Sequence, residues 1–110
     1  MKNWNWVGTP GHFILAKDCV FRLHTGIGKY KISTVGAMYR DGELHEIGCK
    51  RHYETMVFDM SDPENQWTEI ECNGLFFKNK KKLSEDTDRD AETMHMEMCL
   101  KYGEKNEEDR

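Results

Sequence analysis

The sequence lacks the features that define several large classes of protein. It contains only two prolines in 110 residues, and no stretch approaches the roughly 18 consecutive apolar residues of a transmembrane helix. The opening residues, Met1 to Trp6, do not include the apolar core of a secretory signal. The chain is also too short for two domains or for a typical cofactor-binding sheet. We therefore expect one compact cytoplasmic domain with no membrane segment.

A phosphate-binding glycine loop is missing as well. Gly26-Ile27-Gly28 lacks the third glycine and the following helix that such a loop requires. The chain does contain 37% hydrophobic and 11% aromatic residues, which is too many for a wholly disordered protein. It is therefore expected to fold around one core and to carry polar ends.

Runs of β-branched and aromatic residues predict antiparallel β-structure. Strands are predicted at residues 12–16, 19–25, 29–35, 52–59 and 67–72. Tight turns are predicted at Gly26 to Gly28, at Asp41-Gly42 and at Asn73-Gly74, with residues 62–65 as a further connection. Together these segments indicate a meandering sheet of about five or six strands.

The hydrophobic period changes in the C-terminal part. Apolar and core-type residues recur there at spacings of three and four, which places them in one stripe on a helix: Ala91, Met94, His95, Met98, Cys99 and Tyr102. Ser84 or Thr87 can cap the start of this helix, and Gly103 is predicted to end it. The predicted fold class is α+β, a small antiparallel sheet packed by a C-terminal amphipathic helix. Residues 1–103 form the single domain, and residues 104–110 form a flexible acidic tail.

A histidine and cysteine pair on the helix predicts a structural zinc site. His95 and Cys99 are four residues apart, so both project from one helix face and can bind one tetrahedral zinc. In the N-terminal hairpin, His12 and Cys19 can supply the other two ligands. We therefore predict a zinc held by His12, Cys19, His95 and Cys99 that staples the two ends of the chain together. The alternative is that His95 and Cys99 are ordinary core residues.

Other residues offer competing chemistry. Cys49, Cys72 and His24 form a second possible zinc ligand set. Cys49 also lies beside Lys50, Arg51 and His52, which could lower its pKa and make it a nucleophile, although no orienting acid accompanies it. Three arginines, Arg22, Arg40 and Arg51, could clamp the phosphate of a small signal molecule.

The net charge of −4 is unevenly distributed. From Ser84 to Arg110 ten acidic residues face four basic ones, which gives −6, so the remainder is close to +2. A concentrated negative field attracts basic protein surfaces and disfavours nucleic acid. The alternative is an ordinary solvated helix. The helix carboxylates predicted to bind a partner are Glu85, Asp86, Asp88, Glu92 and Glu97.

Several segments resemble a known family. The strings PGHF at 10–13, ISTVG at 32–36, IG at 47–48 and YETMVF at 53–58, followed by the late His-x-x-x-Cys helix, are similar to small proteins encoded by phages and prophages. Within that setting, a small acidic domain with a structural metal resembles zinc-containing anti-CRISPR proteins. The family segments contain His12, His95 and Cys99, which favours the first ligand set.

This resemblance implies a non-enzymatic inhibitor. Its expected partner is a host RNA-guided nuclease of a type II CRISPR system, whose nucleic-acid loading it would block without binding nucleic acid itself. It carries no catalytic residue and leaves the oligomeric state open. A protein that binds a phosphorylated signal nucleotide and a cysteine- or zinc-dependent enzyme are the alternative functions.

Overall fold

The computed structural model of the chain describes residues 4–6, 19–40, 43–47, 51–65, 67–76 and 85–108. Its helix and strands are β1 (Trp4–Trp6), β2 (Cys19–Ile27), β3 (Tyr30–Arg40), β4 (Glu43–His45), β5 (Tyr53–Asp59), β6 (Thr68–Leu75) and α1 (Glu85–Glu108). The predicted α+β class, with an antiparallel sheet and a C-terminal helix, is confirmed. The strand predicted at 12–16 and the turn predicted at Asp41-Gly42 lie outside the described residues.

The sheet is built on four long strands in the order β2-β3-β5-β6, and every pairing in it is antiparallel. The short strand β1 pairs with β2, and β4 pairs with the end of β3. The β2–β3 hairpin closes where Ile27 pairs with Tyr30. Its turn is therefore Gly28-Lys29, which is later in the chain than predicted. Gly28 has a left-handed φ of 56°, which glycine adopts more easily than other residues in a tight turn.

The helix packs across β2, β3 and β5 and closes the main core. The buried residues of this core come from both layers: Ile27, Tyr30, Ile32, Val57, Cys99 and Tyr102. A second contact lies nearer the start of the helix, where Ala91 and Met94 pack on Tyr53. The predicted apolar stripe of the helix therefore does face the sheet. Two of its residues, Met98 and Tyr102, also contact Asn73 and Glu71 of β6.

One predicted turn lies inside a strand. Asn73-Gly74 is part of β6, where Asn73 pairs with Thr55 and Gly74 with Glu54. The Arg51 side chain occupies the place where a Cβ atom of residue 74 would be. Glycine is therefore needed at this position to make room for Arg51 and not to form a turn.

The helix also extends beyond its predicted end. Gly103 does not cap it, because α1 continues to Glu108. The side chain of Asn106 lies directly against Gly28 in the β2–β3 turn, so the last turns of the helix retain a tertiary contact. Of the segment predicted as a flexible tail, residues 104–108 are thus helical, and residues 109–110 lie outside the described part of the chain.

Candidate functional site

A buried polar cluster surrounds His95 at the centre of the helix–sheet interface. His95 is fully buried, with its Nε2 atom 2.8 Å from Thr25 Oγ1 and its Nδ1 atom 2.8 Å from Thr34 Oγ1. The Thr34 hydroxyl is in turn hydrogen-bonded to that of Thr55. A neutral imidazole has one donor and one acceptor nitrogen, and a hydroxyl can serve either role. The threonines of two adjacent strands thus satisfy both ring nitrogens, and Thr55 on the next strand is hydrogen-bonded to one of them.

Burial determines the protonation of this cluster. It lowers the pKa of His95 to about 4, with a smaller contribution in the same direction from the charge of His24. Burial also raises the pKa of the Cys99 thiol to about 11, against a smaller opposing effect of its hydrogen bond with Thr25. At neutral pH the helix therefore presents a neutral imidazole and a neutral thiol to the sheet.

The structure brings together two of the four predicted zinc ligands. His95 and Cys99 lie one helical turn apart and share Thr25 as a hydrogen-bonding neighbour. Cys19 belongs to a different cluster, with Val35 and Met38, and is six residues along β2 from Thr25, a distance of about 20 Å. It is therefore not placed beside the other two, and His12 lies outside the described residues.

The second ligand set is also spread across the sheet. His24, Ser33, Met56 and Cys72 are successive cross-strand partners, so His24 and Cys72 are three strand spacings apart, about 14 Å. Cys49 lies outside the described residues. Among those that are described, no three histidine, cysteine or carboxylate side chains cluster as metal ligands. The zinc site stays a prediction.

The predicted phosphate clamp and thiol chemistry have other partners. Arg51 donates from Nη1 to Cys72 Sγ at 2.8 Å and lies 3.6 Å from Glu54 Oε2. Burial raises the pKa of Cys72, with a further upward contribution from the charge of Glu54. Arg22 is exposed on β2, two strands from Glu54, and the side chain of Arg40 is not described. The described arginines therefore do not converge on one anion.

An open groove lies between α1 and β6. The helix packs mainly on β2, β3 and β5, so the helix-facing side of β6 is only partly covered, by contacts of Met98, Lys101 and Tyr102. The volume of the groove is about 440 Å³, and its floor includes the side chains of Leu75, Met94 and Met98. The remaining lining residues are Glu71, Asn73, Gly74, Asp90, Thr93 and Glu97.

The groove is acidic on both walls. On the β6 wall, Glu71 Oε1 accepts hydrogen bonds from Lys101 Nζ at 2.7 Å and from Tyr102 OH at 2.6 Å. These bonds, that of Lys101 foremost, lower the pKa of Glu71 to about 2. On the helix wall, Asp90 and Glu97 are exposed and seven residues apart, which places them about 20° apart around the helix. Neither has an ion pair within the described part of the chain.

Of the five predicted partner-binding carboxylates, the three whose side chains are described, Asp88, Glu92 and Glu97, do not form one surface. Asp88 is half-buried and accepts a hydrogen bond from Tyr53 OH at 2.6 Å, so it belongs to the helix–sheet contact. Glu92 is exposed, but it lies about 140° around the helix from Glu97. The side chains of Glu85 and Asp86 are not described. Glu97 is the one that lines the groove, with Asp90 and Glu71, which the sequence analysis did not select.

Comparisons with protein-family models, with curated proteins and with solved structures find no match for this chain. Within the described residues, no helix combines the length and the apolar character needed to cross a membrane.

Proposed function

We propose that this protein is a small inhibitor that binds a basic protein surface through the acidic groove between α1 and β6. The observation that supports this function is the pair of exposed carboxylates, Asp90 and Glu97, above an apolar floor. Complementary charge speeds association and fixes orientation, while apolar contacts in the centre supply affinity. Methionine side chains such as Met94 and Met98 adapt readily to a partner's shape.

The proposed partner is a host RNA-guided nuclease of a type II CRISPR system, the target implied by the resemblance to anti-CRISPR proteins. Such nucleases hold their RNA–DNA heteroduplex in a positively charged channel. A compact domain with carboxylates on one wall can occupy that channel in place of phosphates and so block nucleic-acid loading in the host cytoplasm. The proposal assigns no catalytic residue to this chain. The predicted structural zinc is not required by this proposal and is tested separately.

The test is a nuclease cleavage assay with a charge-reversal pair. Asp90→Lys with Glu97→Lys reverses the groove wall, whereas Glu92→Lys with Glu107→Lys makes the same change in net charge at exposed positions elsewhere on the helix. We expect wild-type protein and the second variant to inhibit cleavage, and the groove variant to lose at least about tenfold in inhibition, the effect of one lost charge-assisted contact.

Two results would count against the proposal. Full cleavage at saturating wild-type protein, across several type II nucleases, would reject the inhibitor function. Equal loss of inhibition in both variants would retain an electrostatic inhibitor but reject the groove as its binding surface. Circular dichroism of both variants controls for folding.

A further inference from the structure

We propose that β6 binds an extended basic segment of the partner by strand addition, so that the segment becomes the next strand of the sheet and its basic side chains reach Asp90 and Glu97. This inference rests on the proposed function, because it specifies which kind of partner segment the groove accepts. Three features of the described residues support it: the free edge of β6, the position of a bulge in that strand, and the charge around it.

The first feature is the edge itself. β6 is the last strand in the order of the sheet, and within the described residues it pairs only with β5. The outer edge of such a strand presents alternate backbone N–H and C=O groups, which a further strand can satisfy. Proteins usually protect an exposed edge with lysine or proline, and β6 contains neither.

The second feature is a bulge that limits pairing to one half of the strand. Val57 pairs with Glu71 and Phe58 with Glu69, so Ile70 is the extra residue and is 44% exposed. A bulge twists an edge and weakens further pairing there. From Glu71 to Leu75 the register is regular, and four of these five residues line the groove: Glu71, Asn73, Gly74 and Leu75. The part of the edge that remains available thus lies beside the acidic wall.

The third feature is charge. The charged residues of β6 are Glu69 and Glu71, and the helix wall adds Asp90 and Glu97. A second copy of this chain would bring like charges together across the new pairing, which is unfavourable. A basic strand places opposite charges there instead. The surface therefore selects a foreign basic segment over self-association.

The geometry defines the sequence pattern of that segment. Alternate side chains of an added strand point to the helix side of the sheet, with about 13 Å between residues four apart. Asp90 and Glu97 are separated by about 10.5 Å along the helix axis, which flexible lysine or arginine side chains at those two positions can span. The residue midway between them would face the apolar part of the groove lining, which is formed by Leu75, Met94 and Met98. The expected pattern is basic-x-apolar-x-basic in an extended chain.

A synthetic peptide tests this inference without the nuclease. The probe is the capped peptide Thr-Arg-Thr-Val-Thr-Arg-Thr, titrated into isotope-labelled wild-type protein at low salt, with chemical shifts and amide hydrogen exchange as readouts. We expect slower exchange of some amides between Glu71 and Leu75, because pairing would bury outward-facing N–H groups. Two singly N-methylated peptides provide the control, one blocked at an amide that faces β6 and one at the next residue.

The outcomes separate this inference from the proposed function. Strand addition predicts that one of the two methylated peptides loses at least about tenfold in affinity while its neighbour does not, since N–H groups alternate in direction along a strand. Equal affinity of both, or unchanged exchange at residues 71–75 on saturation, would overturn strand addition even if the nuclease is inhibited. Peptide binding with this alternation, but no nuclease inhibition, would support the edge site and reject the nuclease as its target.

Discussion

His95 illustrates how a polar residue is accommodated in the core of a small protein. Its ring is fully buried, yet each nitrogen has a threonine hydroxyl at 2.8 Å, so no hydrogen-bonding capacity is lost on folding. The cost appears only when the ring is charged, because burial disfavours an imidazolium, and the charge of His24 disfavours it further. Within the described residues, the cluster around His95 therefore stabilises the neutral form of its ring.

This leads to a pH-dependent stability with a defined sign. The pKa of His95 is 6.5 when unperturbed and about 4 in the folded protein, so the unfolded chain takes up a proton first as the pH falls. The stabilisation is complete above pH 6.5 and is lost as the pH falls towards 4, on the order of 3 kcal/mol in total. We expect urea unfolding of wild-type protein to show this decrease between pH 7 and pH 4.

Two variants test whether His95 causes this decrease in stability with falling pH. His95→Gln offers a donor and an acceptor to the threonines but does not titrate, so its free energy of unfolding should change less over the same range. His45→Gln makes the same substitution at an exposed histidine and is the matched control. Parallel curves for wild type and His95→Gln would show that another group controls the acid sensitivity. The lowered pKa of Glu71, about 2 against an ordinary value of 4.5, adds a further loss of stability that begins near pH 4.5, so it overlaps only the acid end of this window.

The sequence predicted part of this residue-level arrangement. The four-residue spacing of His95 and Cys99 places both on one helix face, and both are indeed buried there. It could not predict the neighbours, because Thr25 and Thr34 are 70 and 61 positions away and meet His95 only through the strand register. A histidine followed four residues later by a cysteine can be a pair of metal ligands or a pair of core residues. Only the side chains of the sheet that face them distinguish the two cases.

At the scale of helices and strands, tertiary contacts override the local sequence patterns that are typical of turns. Asn73-Gly74 is a strong turn signal, yet it lies within β6, because Arg51 packs on Gly74 and the Asn73 amide donates to Glu71 at 3.0 Å. The strands β2 and β5 were predictable from their apolar and β-branched composition to within two residues of their ends, whereas β3 continues five residues beyond its predicted end, to Arg40. The groove was not predictable, since it depends on which strands the helix covers.

Gly103 provides a direct test of the helix boundary. In a helix interior, glycine is less favourable than alanine by about 0.5–1 kcal/mol, whereas at a left-handed cap the order is reversed. Because α1 continues to Glu108 and Gly103 has no positive φ, we expect Gly103→Ala to stabilise the protein by about this amount in chemical denaturation. Gly28→Ala is the matched control and should destabilise it, because Gly28 has a φ of 56°. A destabilised Gly103→Ala variant would mean that the helix ends there in solution.

At the scale of the whole molecule, the described residues form one layer of sheet and one helix that share a core. The helix joins β2, β3 and β5 through its apolar stripe and reaches β6 through the Glu71, Lys101 and Tyr102 hydrogen bonds. This arrangement keeps the acidic groove open while both of its walls are fixed to the same core. Function at the groove and stability at the core are therefore separable by mutation, which the charge-reversal variants exploit.

The predicted zinc is tested at this scale, because a metal that staples the two ends of the chain would dominate its stability. Structural zinc contributes on the order of 10 kcal/mol, comparable to the entire stability of a small domain, so its removal should unfold the protein. The hydrogen bonds of His95 with Thr25 and Thr34 give the opposite expectation, since both ring nitrogens are satisfied within the fold. On that basis we expect a chelator at pH 7 to change the melting temperature by no more than about 2 °C, less than a loss of 1 kcal/mol would cause. Elemental analysis of the same sample tests the alternative. The metal site would be established by one zinc per chain that chelation removes together with thermal stability, and that is absent from the His95→Gln, Cys99→Ser double variant. His95 would then bind the metal in place of at least one of its threonine hydrogen bonds.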